Sequence, residues 1–279
     1  MTAATAPVGI VAGYGELPLV LASAIENTGR RLYIVALVGE TSSDIEVPGR
    51  AVCWYQVGQF QEMVDGLKEA GVEDLLLAGK IDHIRHMGSS PVDEKLGGVL
   101  AGLDDFRGNT ILRGLTDAFE KEGFLIAETT RFAPDLLPKA GLLTDKQPNE
   151  AQMRDVAFGW KIAKEMARLD IGQTVIVKNL SVVAVEAVEG TDDTICRAGG
   201  LAGDGIVVVK VSADNHDFRF DVPTVGPKTI QAMAEAGGKL LAVEAGKCIL
   251  LNREEILRLC RKNRVVLVSA DEETLEGLL

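Results

Sequence analysis

The sequence predicts an α/β protein of two domains, a parallel-sheet domain followed by a mixed α/β domain. In the first half, short apolar runs alternate with segments of helical periodicity. That alternation is typical of a parallel sheet covered by helices on both faces. Near the middle of the chain, residues 133–138 contain two prolines within five residues and separate the two patterned halves. We therefore predict domains over residues 1–133 and 139–279.

The elements of the first half follow the order strand, turn and helix. A buried apolar strand is followed by a glycine turn, and Pro18 suits the first turn of the next helix. Strands are predicted over residues 8–12, 32–38, 51–57, 74–78 and 124–127. Helices are predicted over residues 18–29, 59–70 and 109–122. This order makes the N-terminal domain Rossmann-like.

The second half begins with a long amphipathic helix, predicted over residues 149–169. A hairpin over residues 174–177 and 182–188 follows, and then a helix that begins near residue 191. Further strands are predicted at residues 206–211, 218–220, 240–243, 249–251 and 265–268, and helices at 228–236 and 253–262. We expect the acidic tail, residues 271–276, to be solvated.

Composition excludes several classes of protein. The formal net charge of −12 disfavours nucleic acid as a partner. No apolar run approaches the roughly 20 residues that span a bilayer, and the N-terminus lacks the features of a signal peptide, so we expect a cytoplasmic protein. The four cysteines form no CxxC pair, which disfavours zinc and dithiol redox sites. We expect reduced, mostly buried thiols.

The glycine turn after the first strand is a candidate ligand site. Gly13, Tyr14 and Gly15 stand where a parallel sheet binds phosphate, because glycine lets the backbone approach and free N–H groups point at the anion. Pro18 occupies the place of the third glycine of a dinucleotide fingerprint, which disfavours a nicotinamide cofactor. Lys80 follows another strand on the same edge and could reach a phosphate. The alternatives are a plain tight turn and a surface lysine.

An acidic run ends the second strand of the predicted hairpin. Glu186 and Glu189 flank the end of the strand, and Thr191 and Asp192 open the next helix. Carboxylates at the ends of buried strands are costly unless they bind something, and a divalent metal or a phosphorylated ligand are natural candidates. The alternative is that Thr191 or Asp192 is a helix N-cap.

Further polar residues accompany this run. Gln173 enters the same predicted edge, and Asp221 lies between apolar residues that would face a core. Arg219 could offset phosphate charge or form a structural salt bridge. His83 and His86 have a spacing that could bind metal on a helix, but their segment reads as a loop without a third ligand.

Several sequence blocks occur in order along nearly the whole chain and carry a family resemblance. They resemble the UDP-2,3-diacylglucosamine pyrophosphatase family of lipid A biosynthesis, the type unrelated to calcineurin-like phosphoesterases. The Glu-Gly-Thr-Asp block and the Arg-Phe-Asp-Val-Pro block are together the most specific. The blocks are residues 9–18, 78–80, 142–144, 170–173, 186–192, 219–223, 226–227 and 243–247.

The resemblance implies a hydrolase that depends on Mg²⁺, with Mn²⁺ as the alternative ion. Such enzymes split UDP-2,3-diacylglucosamine into UMP and 2,3-diacylglucosamine 1-phosphate, and water attacks the phosphorus on the uridine side. In that family the ligand is held between the two domains, and we expect the C-terminal domain to be the catalytic one. The key aspartate falls at Asp221, with Glu189 and Asp192 as companion metal ligands. Arg219 and Lys80 would offset phosphate charge.

The resemblance also has implications for the binding partners and the cellular location of the protein. A diacylated substrate implies weak peripheral contact with the inner membrane from the cytoplasmic side, and the family implies a homodimer. Gly13, Tyr14, Gly15, Gln173 and Thr191 would complete the substrate contacts. One alternative function is a sugar-nucleotide sensor that binds without turnover, and a nicotinamide oxidoreductase is a third.

Overall fold

The computed structural model describes residues 6–81, 91–214, 217–220 and 222–276. The described chain divides into two compact units. Unit 1 contains the described residues up to Pro134 together with residues 218–220. Unit 2 contains residues 135–214, Asp217 and residues 222–276. A short segment from the second half of the sequence therefore belongs to unit 1, which the two contiguous predicted domains did not include.

Unit 1 contains a five-stranded parallel sheet in the order β3-β2-β1-β4-β5. Val8 at the start of β1 lies opposite Leu32 of β2 on one side and Asp74 of β4 on the other. The parallel, Rossmann-like sheet predicted for the first half is confirmed. The strands are β1 (Val8–Ala12), β2 (Leu32–Leu37), β3 (Ala51–Tyr55), β4 (Asp74–Ala78) and β5 (Leu125–Ile126).

Four helices are described in unit 1, between the strands of this sheet along the chain, and one of them was not predicted. They are α1 (Leu17–Asn27), α2 (Phe60–Glu69), α3 (Glu94–Ala101) and α4 (Gly108–Lys121). Helix α3 begins after Asp93, whose carboxylate accepts a hydrogen bond from the Leu96 N–H at 2.8 Å. Gly97 and Gly98 lie within it, and their low helix propensity conceals the helix from a sequence pattern.

Unit 2 is built on a six-stranded mixed sheet in the order β6-β13-β11-β9-β7-β8. Strands β9, β11 and β13 are parallel, while β7 runs antiparallel to both β9 and β8, as the predicted hairpin requires. Strands β10 and β12 form a separate parallel pair. The strands are β6 (Gly141–Leu142), β7 (Thr174–Lys178), β8 (Ser181–Val185), β9 (Ile206–Lys210), β10 (Thr224–Val225), β11 (Gly238–Glu244), β12 (Ile249–Leu250) and β13 (Val266–Ala270).

Helices cover both faces of the unit 2 sheet. The long helix α5 packs Trp160 and its apolar neighbours against Val175 and Val207 on one face. On the other face, Ile195 and Met233, from two further helices, pack against the strand residues whose side chains point to that face. Successive side chains along each strand point to opposite faces of the sheet and therefore pack into two separate hydrophobic cores. The helices are α5 (Glu150–Arg168), α6 (Thr191–Ala202), α7 (Pro227–Glu235), α8 (Arg253–Asn263) and α9 (Glu272–Glu276).

Residues 218–220 form a turn, so the strand predicted there was wrong. The carbonyl oxygen of Phe218 accepts from the Thr129 N–H at 2.9 Å, and that of Arg219 accepts from the Thr129 hydroxyl at 3.2 Å. These carbonyl groups bind a loop instead of a neighbouring strand. Phe220 is buried, which explains why this short run looks like a core strand in the sequence.

The acidic tail differs from the solvated end that was predicted. Residues 272–276 form α9, and Leu275 is buried in the unit 2 core. Asp271 caps this helix by accepting a hydrogen bond from the Thr274 N–H at 2.8 Å. The tail thus packs one apolar side chain into the core, while Glu272 and Glu273 are exposed as predicted.

The thiols are free, as predicted, but their burial differs. Cys248 and Cys260 are buried, Cys53 is partly buried, and Cys196, on α6, is exposed. Within the described ranges, no helix combines the length and the apolar character needed to cross a membrane.

Candidate functional site

The glycine turn of unit 1 lies directly beside Lys80. The Tyr14 N–H donates to the Lys80 carbonyl oxygen at 2.7 Å, and the Lys80 N–H donates to the Tyr14 carbonyl oxygen at 2.9 Å. A Cβ atom on Gly13 would lie 2.4 Å from the Lys80 oxygen, and Gly79 has a φ of +90°. Glycine is therefore required by the close approach of two backbone segments.

This geometry changes how the turn could bind a ligand. The N–H groups of Gly13 and Tyr14 are used within the protein, by the carbonyl oxygens of Ala78 and Lys80. The predicted phosphate contact through these two N–H groups is thus not supported. The Tyr14 side chain is exposed, as is the Lys80 side chain, so side chains at this edge are available to a ligand.

Unit 2 gathers polar residues at one edge of its sheet. Strand β9 ends at Lys210 and β11 ends at Glu244, so both parallel strands place a charged residue at their carboxyl ends. Strand β7 begins at this edge, because Thr174 pairs with Lys210. Strand β8 ends there at Val185, directly before Glu186. Ligands of open α/β sheets bind at carboxyl edges of this kind.

A buried network joins three of these elements to the start of α6. The Lys210 ammonium donates to the Thr191 hydroxyl at 2.8 Å and to the Thr174 hydroxyl at 3.2 Å, and it lies 3.5 Å from a Glu186 carboxylate oxygen. The Thr191 hydroxyl in turn donates to the other oxygen of Glu186 at 2.8 Å. Glu186 is 8% exposed and Lys210 is 3% exposed.

The network keeps Glu186 ionised. Burial by itself raises the pKa of this carboxyl group. The Lys210 charge, the Thr174 and Thr191 hydroxyls and the Gln173 N–H together outweigh burial, and the pKa of Glu186 is lowered below its ordinary value. The pair is therefore a true ion pair at neutral pH.

Gln173, a predicted substrate-binding residue, contacts this network through its backbone. Its N–H donates to Glu186 at 3.3 Å, and its carbonyl oxygen accepts from the Val211 N–H at 2.9 Å. A Cβ atom on the preceding Gly172 would lie 2.2 Å from the Glu186 carbonyl oxygen. Gly172 is thus needed because two backbone segments meet there, and not only because a helix ends nearby.

The acidic residues around the start of α6 lie in different environments. Gly190 is the N-cap, with a φ of 84°, so the alternative that Thr191 or Asp192 caps the helix is not the arrangement observed. Glycine is favoured here because the backbone is left-handed. The Glu189 carboxylate accepts from Arg197 at 2.6 Å and from Thr194 at 3.3 Å, while Asp192 accepts from the Thr229 hydroxyl at 2.8 Å.

Arg219 forms a salt bridge within unit 1. Its guanidinium lies 2.6 Å from the Glu120 carboxylate, and both side chains are partly exposed. The structural alternative for this arginine is therefore the one observed. A contact with phosphate stays a prediction.

The metal prediction involves a residue whose structure is not described. Asp221, His83 and His86 all lie outside the described residues, and the neighbours of Asp221, Phe220 and Val222, belong to different units. Among described residues, no group of three or more His, Cys, Asp or Glu side chains is arranged to hold a metal ion.

Asp192 and Glu189, the two predicted metal ligands whose structure is described, differ in how well they fit magnesium. Mg²⁺ binds through one or two carboxylates and keeps waters or substrate phosphates as its other ligands. Asp192 has the required chemistry and holds only a neutral hydroxyl donor among its observed contacts. Glu189 fits less well, because a metal would have to displace the Arg197 guanidinium.

A second charged cluster surrounds Glu244, which lies in the block 243–247 but was not predicted as a site residue. The buried Glu244 carboxylate accepts from Lys164 at 2.7 Å, from Lys247 at 2.8 Å and from the Ser212 N–H at 2.8 Å. Lys164 also donates to the Ser212 carbonyl oxygen and to Asp214, at 3.0 and 2.8 Å. The cluster fixes the chain as it leaves β9.

The sequence did contain a signal for the missed residues. Lys210 and Glu244 each end an apolar strand of at least three residues, as Val-Val-Val-Lys and Leu-Ala-Val-Glu. On a sheet buried on both faces, a charged residue in that position is withdrawn from water and needs a polar partner. The same argument that selected Glu186 would have selected both.

The geometry defines an α/β protein of two units. The sheet of unit 2 has charged residues at its carboxyl edge, where α/β proteins bind ligands. The LpxI N-terminal domain model matches residues 7–136, and the LpxI C-terminal domain model matches residues 139–268. The UDP-2,3-diacylglucosamine pyrophosphatase LpxI of Caulobacter vibrioides is 31% identical over 266 residues, which cover 89% of this chain and 92% of that protein. The chain therefore belongs to the LpxI family, and the resemblance predicted from its sequence blocks is confirmed.

One solved structure shows a weak likeness to this chain. The crystal structure of gox2253 aligns with 98% of this chain and 92% of its own, at 11% identity and a TM-score of 0.32. A likeness this weak supports no conclusion about fold or function.

Proposed function

We propose that this chain hydrolyses the pyrophosphate bond of UDP-2,3-diacylglucosamine in lipid A biosynthesis, releasing UMP and 2,3-diacylglucosamine 1-phosphate. One observation carries the proposal. The chain matches the LpxI domains in order, and it covers 92% of a relative whose name states this pyrophosphatase activity. The charged edge of unit 2 supports it, because a nucleotide sugar needs many polar contacts.

In the proposed reaction, water attacks the phosphorus on the uridine side. Asp221 orients the water or holds the metal ion, and Lys80 and Arg219 offset the charge of the phosphates. Arg219 would have to exchange its Glu120 partner for the substrate, which is feasible because exposed ion pairs contribute little to stability.

The proposed cofactor is Mg²⁺, or Mn²⁺ in its place. When bound, a hard divalent ion neutralises phosphate charge and lowers the pKa of a bound water. We propose Asp221 and Asp192 as its protein ligands, and rank Glu189 behind them because of its ion pair with Arg197.

Incubation of the protein with UDP-2,3-diacylglucosamine and magnesium tests the proposal, with UMP measured by chromatography. In water enriched in ¹⁸O, the heavy oxygen is expected in UMP. Label in the sugar phosphate would contradict attack at the uridine-side phosphorus. EDTA is expected to abolish turnover, and added Mg²⁺ or Mn²⁺ to restore it.

The same experiment addresses the alternative function. A protein that binds the substrate but releases no UMP under any metal condition is a sugar-nucleotide sensor. Contact with the inner membrane and homodimer formation belong to the proposal as well. Sedimentation with vesicles of anionic lipid and light scattering of the purified chain measure these two properties.

A further inference from the structure

The Thr191 hydroxyl has a fixed hydrogen-bond direction. A hydroxyl group has one proton and two lone pairs. The proton is donated to the Glu186 carboxylate at 2.8 Å, since an ionised carboxylate only accepts. One lone pair accepts from the Lys210 ammonium at 2.8 Å, since an ammonium only donates. The capacity that remains on Thr191 is one acceptor lone pair.

The partners of Thr191 are themselves committed inside the protein. An ammonium has three N–H donors, and Lys210 has three acceptors around it, on Thr191, Thr174 and Glu186. The Thr174 hydroxyl, which is fully buried, also hydrogen-bonds to Glu186. Lys210 is therefore engaged in holding the two threonines, although its charge and position at the carboxyl edge suggest a phosphate ligand.

Exposure identifies the member of the network that can meet a ligand. Glu186, Lys210 and Thr174 are buried, whereas Thr191 is partly exposed at the first turn of α6. A ligand at this edge thus meets a hydroxyl that accepts and cannot donate. A phosphate oxygen, which also only accepts, is a poor partner for it.

We propose that Thr191 accepts a hydrogen bond from a hydroxyl or N–H group on the neutral part of the substrate, in the glucosamine or uridine portion. Glu186 and Lys210 are positioning residues that act through Thr191. The inference rests on the proposed function and deepens it, because it assigns the Thr191 hydroxyl to recognition of the neutral groups of the substrate and not of the pyrophosphate.

Binding measurements on the full chain test the assignment. Thr191→Val removes the hydroxyl at nearly constant volume, and Thr191→Ser retains it. We expect the valine variant to bind UDP-2,3-diacylglucosamine about tenfold more weakly, as for the loss of one hydrogen bond. Serine should restore binding, and inorganic pyrophosphate should bind all variants equally. Asp193→Asn, an exposed change in the same helix turn, is the matched control.

A double variant separates positioning from mere structural support. Glu186→Met combined with Lys210→Met removes the ion pair without changing the net charge or greatly changing the volume. It frees the Thr191 proton, so the hydroxyl becomes able to donate. We expect the double variant to bind pyrophosphate several-fold more tightly, relative to the substrate, than the wild-type chain does. A purely structural role leaves that ratio unchanged.

The outcomes are decisive in each direction. Equal weakening of substrate and pyrophosphate by Thr191→Val would overturn the inference in favour of a phosphate contact. An unchanged substrate affinity would overturn it as well, as would an effect on the Mg²⁺ requirement only, which would make Thr191 a metal ligand. A wild-type chain that binds substrate without releasing UMP contradicts the proposed function, and the comparison between variants still decides this inference.

Discussion

Replacement of Lys210 by methionine should destabilise unit 2 strongly. The change leaves the Glu186 carboxylate buried without its counter-charge. Two unit charges 3.5 Å apart attract by roughly 5 kcal/mol at an effective dielectric constant of about 20. The Thr191 hydroxyl and the Gln173 N–H remain on Glu186 and offset part of this loss. We therefore expect the free energy of unfolding to fall by about 3 kcal/mol.

Tryptophan fluorescence can measure this loss in unit 2. The chain has two tryptophans; Trp160 is buried in the unit 2 core, and Trp54 lies on β3 of unit 1. In a Trp54→Phe background, urea unfolding monitored by fluorescence reports Trp160. The control is the double variant Glu186→Met/Lys210→Met, which should recover most of the stability, because an apolar pair can replace a buried ion pair at little cost.

The pH dependence gives an independent check with a definite sign. In the wild-type chain the pKa of Glu186 is lowered, so its contribution is present above the ordinary value of 4.5 and is lost as the pH falls through the folded-state pKa. Without Lys210, burial should instead raise the pKa of Glu186. The stability gap between the wild-type chain and Lys210→Met should then narrow as the pH falls through the raised pKa of Glu186 in the variant. A loss below about 1 kcal/mol at pH 7, or a gap independent of pH, would refute the reasoning.

Three further changes test other parts of the molecule. Asp221→Asn should reduce kcat on the order of 10²-fold or more with magnesium in excess, and near-normal turnover would remove Asp221 from the proposed site. Gly172→Ala should cost about 2 kcal/mol of stability and raise KM, because its Cβ would lie 2.2 Å from the Glu186 carbonyl oxygen; a neutral effect would show that the two segments can separate. A thiol reagent should modify the exposed Cys196 in the native protein, while Cys248, whose pKa burial raises to about 12, reacts only after unfolding; early modification of Cys248 would contradict its burial.

Most of the fold could be predicted from the sequence because its elements are strongly periodic. Strand Val8–Ala12 and strand Asp74–Ala78 were predicted to the residue, and the β7–β8 hairpin was recognised from two apolar runs around a short turn. Errors arose where short-range signals conflict with tertiary contacts. Residues 218–220 look like a strand because Phe220 is apolar, but the carbonyl groups of Phe218 and Arg219 bind Thr129, far away in sequence.

The candidate site shows the same division. Glu186 was singled out from its position after a buried strand and Gln173 was placed at the same edge, and the structure joins both to the network of Lys210 and Thr191. Lys210 was overlooked although it too ends a buried strand in a charge, and its partner Thr174 follows only from the antiparallel register of β7 and β9. A residue's partners across a sheet are set by strand order, which the local pattern of a single strand does not contain.

By itself, the sequence determined the alternation of strands and helices, the family, and the residues that end buried strands in a charge. These follow from local periodicity and from the cost of burying charge. Only the tertiary structure decided which charges meet. It joined Lys210 to Glu186 and Thr191, paired Glu189 with Arg197, and engaged the turn N–H groups of Gly13 and Tyr14 within the protein. The physical reason is that hydrogen-bond direction depends on neighbours tens of residues away, which come together only when the sheets form.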